Sequence, residues 1–263
     1  MLDLHTHILP GIDDGPKTWE DALSMLKAAA EDGITGIAAT PHVKFGMFVS
    51  PRERVLELTA EMNKRAAELF PDKNLKVFSG SEITVSVEAL SGLKEGRFCS
   101  YNSGRYVLLE LPPHFSPTDM NDFLDAVTAL GQVPVIAHPE RNPRILSDME
   151  PLYSFAGKGA LMQVTAGSFT GFFGSEVKNL AMGLLERDLV HLVASDAHSP
   201  KHRPPALSEA FKVVSSSAGE EKALELFTVN TGKIINSEPI APSPPKHIQK
   251  PEIFIFYPDS LDF

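Results

Sequence analysis

Hydrophobic and polar positions alternate in short runs along this chain, and longer amphipathic stretches separate the runs. In the first run, Leu-Asp-Leu-His-Thr-His, leucines at positions 2 and 4 alternate with polar residues. This period of two is typical of a β-strand, whose successive side chains point to opposite faces. Seven β-prone runs predict strands at 2–7, 34–42, 75–83, 105–112, 132–140, 160–167 and 190–198.

The stretches between the predicted strands carry the end signals of helices. A first helix starts near Thr18 and ends before Gly33, a natural C-terminal cap. Ser50-Pro51-Arg52-Glu53 indicates a capping box for a second helix, which stops at Pro71. Strands that alternate with helices favour parallel pairing, in either a barrel or an open sheet. Further helices are predicted at 117–130, 175–187, 205–216 and 220–230.

Composition narrows the class of protein. The chain has 263 residues, and its formal net charge of −10 argues against nucleic acid as a partner, because such binders carry a basic surface. The sequence shows neither a signal peptide nor an apolar run of the roughly 18 to 20 residues that span a bilayer. One cysteine cannot form an intrachain disulfide. We therefore expect a soluble, cytoplasmic protein.

Polar residues that can bind metals fall at or just after the ends of six of the seven predicted strands. His5 and His7 leave the first strand on one face, about 7 Å apart along it, so that both can reach one ion. In a β/α barrel, all such strand ends open on the face where active sites are built. The predicted ligands are His5, His7, Asp14, His42, Glu82, Glu110, His138, Asp196 and His198.

Asp14 joins this set because the turn Pro-Gly-Ile-Asp-Asp-Gly can fold an aspartate back over the barrel mouth. Of Asp13 and Asp14, one is interpreted as a ligand and the other as a solvated or capping residue. Five imidazoles and four carboxylates suit zinc, manganese or iron and are enough for two or three ions. Three divalent ions would leave two positive charges in excess of the four carboxylates, so the site would attract an anion such as a phosphate ester.

Arg141 and Arg203 follow predicted ligands by a few residues and are candidates for gripping phosphate oxygens. Surface salt bridges are the alternative interpretation for both. Phe172 and Phe173 are interpreted as packing residues, with a hydrophobic lip for a substrate ring as the alternative. His191 and His202 are interpreted as packed or solvated.

Six short motifs follow one another along the chain. They are HTHILPGIDDG at 5–15, TPH at 40–42, GSEI at 80–83, LLELP at 108–112, AHPER at 137–141 and SDAH at 195–198. In this order they resemble the PHP superfamily, named for polymerase and histidinol phosphatase domains. Within it, the first and fifth motifs most resemble the manganese-dependent tyrosine-protein phosphatases of bacterial capsule and exopolysaccharide operons. The similarity runs from Leu2 to about Asn236.

The resemblance implies a single-domain α/β fold, a distorted (β/α)7 barrel, with three divalent ions, for which Mn²⁺ is expected and iron or zinc would also fit. It implies a phosphotyrosine cluster on the tail of a bacterial tyrosine autokinase as substrate, with Arg141 and Arg203 holding the phosphoryl group. It also implies three ion sites. The first ion would be held by His5, His7, Glu82 and Asp196. The second would share Glu82 with the first and add Glu110 and His138, and the third would be held by Asp14, His42 and His198.

Other functions compete with this one. Histidinol-phosphate phosphatase uses the same barrel and metals, whereas the acidic charge counts against a nuclease. A non-catalytic metal-binding partner would lack a ligand, and none is missing. A metal-dependent amide hydrolase would need a carbamylated lysine, for which no strand end offers a candidate. The sequence leaves a homo-oligomer open.

Two further segments need an interpretation. Cys99–Arg105 fits the C-x5-R signature of thiol-based tyrosine phosphatases, but the loop precedes a strand instead of opening a helix, so we interpret Cys99 as incidental. A proline-rich extension, 237–263, follows the predicted barrel domain, 1–236, and its EIFIFY core is expected to pack on the barrel exterior or on a partner chain.

Overall fold

Ten strands form two mostly parallel sheets in the part of the chain that the computed structural model describes, residues 1–71 and 75–247. Neighbouring strands pair in parallel, except that the third and fourth strands form a short antiparallel hairpin. The strands are β1 Leu2–Thr6, β2 Gly36–Ala39, β3 His42–Lys44, β4 Phe48–Val49, β5 Lys76–Ser79, β6 Glu82–Thr84, β7 Tyr106–Glu110, β8 Val133–Ala137, β9 Leu161–Thr165 and β10 Leu192–Ala194.

Two of the seven predicted strands are each broken in the middle. Run 34–42 becomes β2 and β3 around Pro41, which has no N–H to donate to a ladder. Run 75–83 becomes β5 and β6 around Gly80, where a Cβ would lie 2.9 Å from Cγ2 of Thr40. The first halves of the two broken runs, β2 and β5, pair with β1 in a three-stranded sheet of order β1-β2-β5. The second halves, β3 and β6, belong to a seven-stranded sheet of order β10-β9-β8-β7-β6-β3-β4. The second sheet brings His42 directly opposite Glu82.

The first and last strands meet without a continuous ladder. The His7 amide donates to the Ala197 carbonyl (2.8 Å), and the Asp196 amide donates to the His5 carbonyl (2.8 Å). With each broken strand counted once, the order around the sheet is that of a seven-stranded barrel distorted at this seam. The predicted fold class is therefore confirmed, with β4 as an added hairpin strand.

Eleven α-helices connect or cover the strands of the described chain. None of them is both long and apolar enough to cross a membrane. The helices are α1 Trp19–Glu31, α2 Arg52–Leu69, α3 Val87–Lys94, α4 Pro117–Ala129, α5 Pro143–Ser147, α6 Pro151–Gly157, α7 Ala166–Thr170, α8 Ser175–Glu186, α9 Ser208–Ala218, α10 Glu220–Leu224 and α11 Asn230–Ile235.

Helix ends show where local signals were sufficient. Thr18 caps α1 by accepting from the Asp21 amide (3.2 Å), and Gly33 follows the helix with φ +84°, as predicted. The predicted capping box at Ser50 is wrong, because Pro51 occupies the N-cap and the Ser50 hydroxyl donates instead to the His42 carbonyl (3.1 Å). The last predicted helix also runs further, through a π-helical segment at 225–229 into α11.

A small apolar cluster lies among the strands on the side away from the polar strand ends. It includes Leu108 on β7, Leu161 on β9 and Ile234 on α11, all at most 2% exposed. Because side chains alternate along a strand, Leu108 shares a face with Glu110, and Leu161 shares one with Gln163. The apolar cluster is thus the floor beneath the polar strand ends, with α11 packed against it.

The described part of the C-terminal extension is hydrogen-bonded to the barrel domain. The Arg105 amide donates to the Ser237 hydroxyl (3.0 Å), and the Tyr106 hydroxyl donates to the Glu238 carbonyl (2.6 Å). Farther along, the Lys246 amide donates to the Arg187 carbonyl (2.8 Å). The EIFIFY segment lies outside the described residues.

Candidate metal centre

The structure gathers all nine predicted ligands at one end of the barrel. His42 and Glu82 are the first residues of β3 and β6 and not strand ends as predicted, because new strands begin after Pro41 and Gly80. They form four overlapping groups, and within each group one side-chain nitrogen or oxygen per residue lies within 4.8 Å of the others. The groups are His7, Asp14, His42 and His198; His5, His7 and Asp196; His5, Glu82 and His138; and His42, Glu82 and Glu110.

Glu82 is the central carboxylate. Its Oε2 lies 2.9 Å from Nδ1 of His42 and 3.3 Å from Nε2 of both His5 and His7, while its Oε1 accepts from Nε2 of His138 (2.8 Å). Although Glu82 is fully buried, its Oε2 accepts no hydrogen bond from any residue that the structure describes. Burial opposes ionisation, but the surrounding histidines outweigh it and hold the pKa of Glu82 well below its usual range. A buried carboxylate oxygen amid converging imidazole nitrogens fits a divalent cation.

The histidines are also oriented as metal ligands. Nδ1 of His5 donates to Oε1 of Gln163 (2.7 Å), and Nδ1 of His198 donates to the Asp196 carbonyl (3.0 Å). Nδ1 of His7 donates to Asp13 (2.6 Å). An outer oxygen that takes the Nδ1 proton leaves the Nε2 lone pair free for a metal, as is usual in metalloproteins. The donor set therefore fits divalent ions.

Asp13 is not solvated; it caps backbone amides, the other predicted alternative, and it also holds His7, a role that the sequence did not suggest. It is 4% exposed, and besides His7 it accepts from the amides of Gly15 (3.0 Å) and His42 (3.1 Å). Burial opposes the ionisation of Asp13. The hydrogen bond from His7 and the positive charge of His7 outweigh it and hold the pKa of Asp13 below the usual value. The segment Ile-Asp-Asp-Gly folds back over the strand ends and puts this carboxylate behind His7.

Asp14 occupies the open side of the group. Its side chain is half-exposed, and Oδ1 lies 3.4 Å from Nε2 of His198 and 3.6 Å from Nε2 of His42. The hydrogen bond with His198 lowers the pKa of Asp14, and burial only partly opposes this effect. Asp14 is therefore an ionised group at the solvent edge of the cluster.

Asp196 joins the histidines to the two predicted arginines. Its Oδ1 lies 3.3 Å from Nε2 of His5, while Arg141 and Arg203 both contact its Oδ2. Burial is outweighed by the histidines and by Arg141, so the pKa of Asp196 is well below its usual range. Asp196 and His138 have positive φ, +55° and +33°. Such conformations are costly for residues other than glycine and cluster at functional sites.

Glu110 lies apart from the partner that the family resemblance suggests. It groups with His42 and Glu82, and not with His138. Its Oε2 accepts from the Thr84 hydroxyl (2.5 Å) and lies 3.9 Å from Nζ of Lys44. Glu110 is therefore in contact with two residues, Thr84 and Lys44, that were not among the predicted site residues.

Arg141 projects from a short turn that a buried acid holds in place. Glu140 is fully buried, and its Oε1 accepts from the Thr165 amide (2.9 Å) and the Ser168 hydroxyl (2.7 Å). These bonds tie the turn after β8 to the end of β9 and the start of α7. Sequence analysis assigned no role to Glu140 or Gln163, although Glu140 lies two residues after His138 and Gln163 lies within a predicted strand.

Cys99 is not part of the site. It is 2% exposed, and burial raises the pKa of its thiol to about 11. A thiol that stays protonated near neutral pH is a poor nucleophile. The interpretation of the C-x5-R match as incidental is therefore confirmed.

The chain matches the family model for capsular polysaccharide synthesis CpsB/CapC proteins over residues 1–236. It is 35% identical over 257 residues to the tyrosine-protein phosphatase YwqE of Bacillus subtilis, covering 98% of this chain and 100% of that protein. It is also 35% identical over 240 residues to the tyrosine-protein phosphatase CpsB of Streptococcus pneumoniae, covering 89% of this chain and 98% of that protein.

Solved structures agree on the fold. The chain superposes with a TM-score of 0.88 and 36% identity on a structure from a crystallographic study of YwqE and CpsB, described there as unique metal-dependent tyrosine phosphatases, covering 95% of this chain and 100% of that one. A histidinol phosphate phosphatase from Lactococcus lactis superposes with a TM-score of 0.56 at 15% identity, covering 86% of this chain and 96% of that one. This second likeness concerns the fold alone.

Proposed function

The chain belongs to the CpsB/CapC family of capsular polysaccharide synthesis proteins, and we propose that it is a metal-dependent protein-tyrosine phosphatase. The observation that carries this proposal is a cluster of nine side chains with potential metal-ligating atoms, in which two arginines contact the carboxylate of Asp196. Relatives that are 35% identical over nearly the whole chain are named tyrosine-protein phosphatases. The histidinol phosphatase alternative has only a likeness of fold in its favour.

The proposed cofactor is a set of three divalent ions, with Mn²⁺ the expected metal. When bound, such ions lower the pKa of water and act as Lewis acids toward phosphoryl oxygens. One observed group holds Asp14, His42 and His198 together with His7, and another holds His5, His7 and Asp196 without Glu82, so the grouping overlaps with the implied ion sites but does not reproduce them. We propose His5, His7, Asp14, His42, Glu82, Glu110, His138, Asp196 and His198 as the ligands.

The chain's own residues supply binding and orientation. Arg141 and Arg203 contact Asp196 in the free protein. When substrate binds, they are proposed to donate hydrogen bonds to the phosphoryl oxygens, because a planar guanidinium group fits the geometry of those oxygens. Asp13 and Gln163 fix the ring orientation of His7 and His5. A tyrosine leaving group has a pKa of about 10, so it departs with little help from a general acid.

The proposed substrate is the phosphotyrosine-bearing tail of a bacterial tyrosine autokinase, whose dephosphorylation would regulate capsule or exopolysaccharide synthesis. A cytoplasmic site of action is part of this proposal, because a kinase that consumes ATP works in that compartment. The capsular polysaccharide synthesis family of the chain supports the biological setting.

The experiment compares hydrolysis of a phosphotyrosine peptide and of histidinol phosphate by the wild-type chain in Mn²⁺, with and without chelator. We expect peptide turnover to dominate and to disappear on chelation, and His138→Ala to lose at least about 10²-fold in kcat/KM through loss of a metal ligand. Cys99→Ser is the matched control and should keep its activity. Preferred turnover of histidinol phosphate, or activity that survives chelation and is lost in Cys99→Ser, would refute the proposal.

A further inference from the structure

One aromatic ring contacts both arginines of the site. The Phe173 ring centroid lies 4.5 Å from Cζ of Arg141 and 5.8 Å from Cζ of Arg203. Both distances are within the range at which a guanidinium is attracted to the negative face of an aromatic ring. The two arginine side chains are only 23% and 25% exposed, so water screens this attraction weakly.

The ring is held by a tight turn. Gly171 ends α7 with φ +89°, and Gly174 precedes α8 with φ +92°, so that only Phe172 and Phe173 lie between two left-handed glycines. The Phe172 amide donates to the Gly167 carbonyl (2.9 Å), and the Gly174 amide donates to the Gly171 carbonyl (3.0 Å). Such conformations suit glycine and leave the dipeptide little freedom.

Phe172 and Gly167 lie beside the Phe173 ring. The Phe172 ring meets Phe173 edge-on, with centroids 4.9 Å apart. Gly167 lies against the pair, and a Cβ there would be 3.1 Å from Cε2 of Phe173 and 3.3 Å from Cβ of Phe172. Phe172 is 62% exposed, and no cation–π contact with either arginine is found for it among the described residues.

We propose that Phe173 is a positioning residue that holds Arg141 and Arg203 ready for a phosphoryl group. The two guanidinium groups converge on one Asp196 oxygen, so their positive charges repel each other. The electron-rich ring face offsets part of this repulsion and limits the conformations of two long side chains. An oriented pair loses less conformational entropy when it binds the phosphoryl oxygens.

This inference rests on the proposed function, so the wild-type chain is assayed first. Activity on a phosphotyrosine peptide in saturating Mn²⁺ tests the function, and only an active wild type is carried forward. Inorganic phosphate then serves as a probe of the arginine pair through its inhibition constant. Variants are Phe173→Leu, which removes the ring, Phe173→Trp, which keeps an aromatic face, and Phe172→Leu, the matched control.

For Phe173→Leu we expect KM for the peptide and the inhibition constant of phosphate to rise about tenfold, because both report binding of the phosphoryl group. The kcat and the Mn²⁺ concentration at half-activation should stay within about twofold of wild type. Phe173→Trp and Phe172→Leu should each resemble wild type in all four quantities. The tryptophan variant separates loss of the aromatic face from mere loss of packing.

Two results would overturn the inference. One is a Phe173→Leu enzyme whose phosphate inhibition constant matches that of Phe172→Leu. The other is a weaker response of Phe173→Leu to Mn²⁺, which would mean that the ring acts through the metal ligands. Neither result would bear on the phosphatase activity of the wild type.

Discussion

The barrel interior contains two layers that share the same strands but differ in chemistry. On β7, Leu108 belongs to the apolar floor, and Glu110, two residues on, belongs to the ligand layer. On β9, Leu161 belongs to the apolar floor, and Gln163 contacts His5 in the ligand layer. The floor gains free energy by burying apolar surface, whereas the ligand layer buries carboxylates and imidazoles at a cost. The comparison implies that stability and activity depend on separate layers.

The ionisation of buried groups follows the same division. In the ligand layer, Glu82 and Asp196 are held ionised by neighbouring positive charge. Near the floor, His191 just before β10 is buried. Burial and the positive charge of Lys222 lower its pKa to about 4, and the carboxylates of Glu225 and Asp188 only partly oppose this effect. Burial alone therefore favours the neutral form, and the clustered ligands reverse that outcome.

The largest effect is expected from Glu82→Gln, which removes the central charge of the ligand layer without changing the size of the side chain. We expect kcat/KM in saturating Mn²⁺ to fall by at least about 10³-fold. Thermal stability should be unchanged or higher, because functional sites often carry a stability cost. Glu57→Gln, at an exposed position on α2, is the control. An activity within tenfold of wild type would show that Glu82 is not central.

The opposite pattern is expected from Leu108→Ala in the floor. Leu108 is 1% exposed, and truncation of a buried leucine lowers the free energy of unfolding by about 3 kcal/mol. Denaturant unfolding measures this loss, and activity per folded molecule should stay within about twofold. A stable variant with strongly reduced activity would contradict the separation of layers.

The pH dependence of stability distinguishes the layers next. Nδ1 of His191 accepts from the Met162 amide (2.9 Å). Because its folded pKa is about 4 against 6.5 in the unfolded chain, the unfolded state binds more protons as pH falls from 6.5 to 4. This group therefore lowers the free energy of unfolding over that range by at most about 3 kcal/mol.

His191→Asn, which keeps an acceptor for the Met162 amide, should show a shallower loss of stability between pH 6.5 and pH 4. Metal-free protein is used for both chains, so that the titration of the ligand layer is common to them. Parallel curves of unfolding free energy against pH would show that His191 is not buried in its neutral form.

A smaller effect is expected from Asp13→Asn, behind the ligand layer. The amide weakens the hydrogen bond that orients His7, so Mn²⁺ affinity should fall by about 10- to 100-fold. Saturating Mn²⁺ should restore most of the activity, unlike in Glu82→Gln. Asp122→Asn on the exposed side of α4 is the control. Unchanged Mn²⁺ affinity would assign Asp13 a purely local role in its turn.

The sequence predicted the strands and the convergence of the nine residues, because strand periodicity and strand-end position are local signals. It did not predict the breaks at Pro41 and Gly80, although proline and glycine marked both places. The breaks arise from the distortion of the sheet, which a single run does not reveal. The alignment of His42 with Glu82 depends on those breaks.

Residues that act from behind the ligands were harder to foresee. Asp13 and Asp14 are chemically identical neighbours, and only the fold of their turn buries one and exposes the other. Phe173 approaches two arginines from other elements, a contact that its own sequence neighbourhood does not encode. The second ion group also depends on where Glu110 points, which strand position alone left open.

The central claim is that the nine side chains jointly hold divalent cations. The most direct test is a crystal of the chain grown with Mn²⁺, with anomalous difference maps collected on both sides of the manganese absorption edge. We expect edge-dependent peaks between Glu82, Asp196 and the five histidines, with Glu82 in contact with more than one ion. A map with no such peak among these residues, in protein that hydrolyses phosphotyrosine peptide, would contradict it.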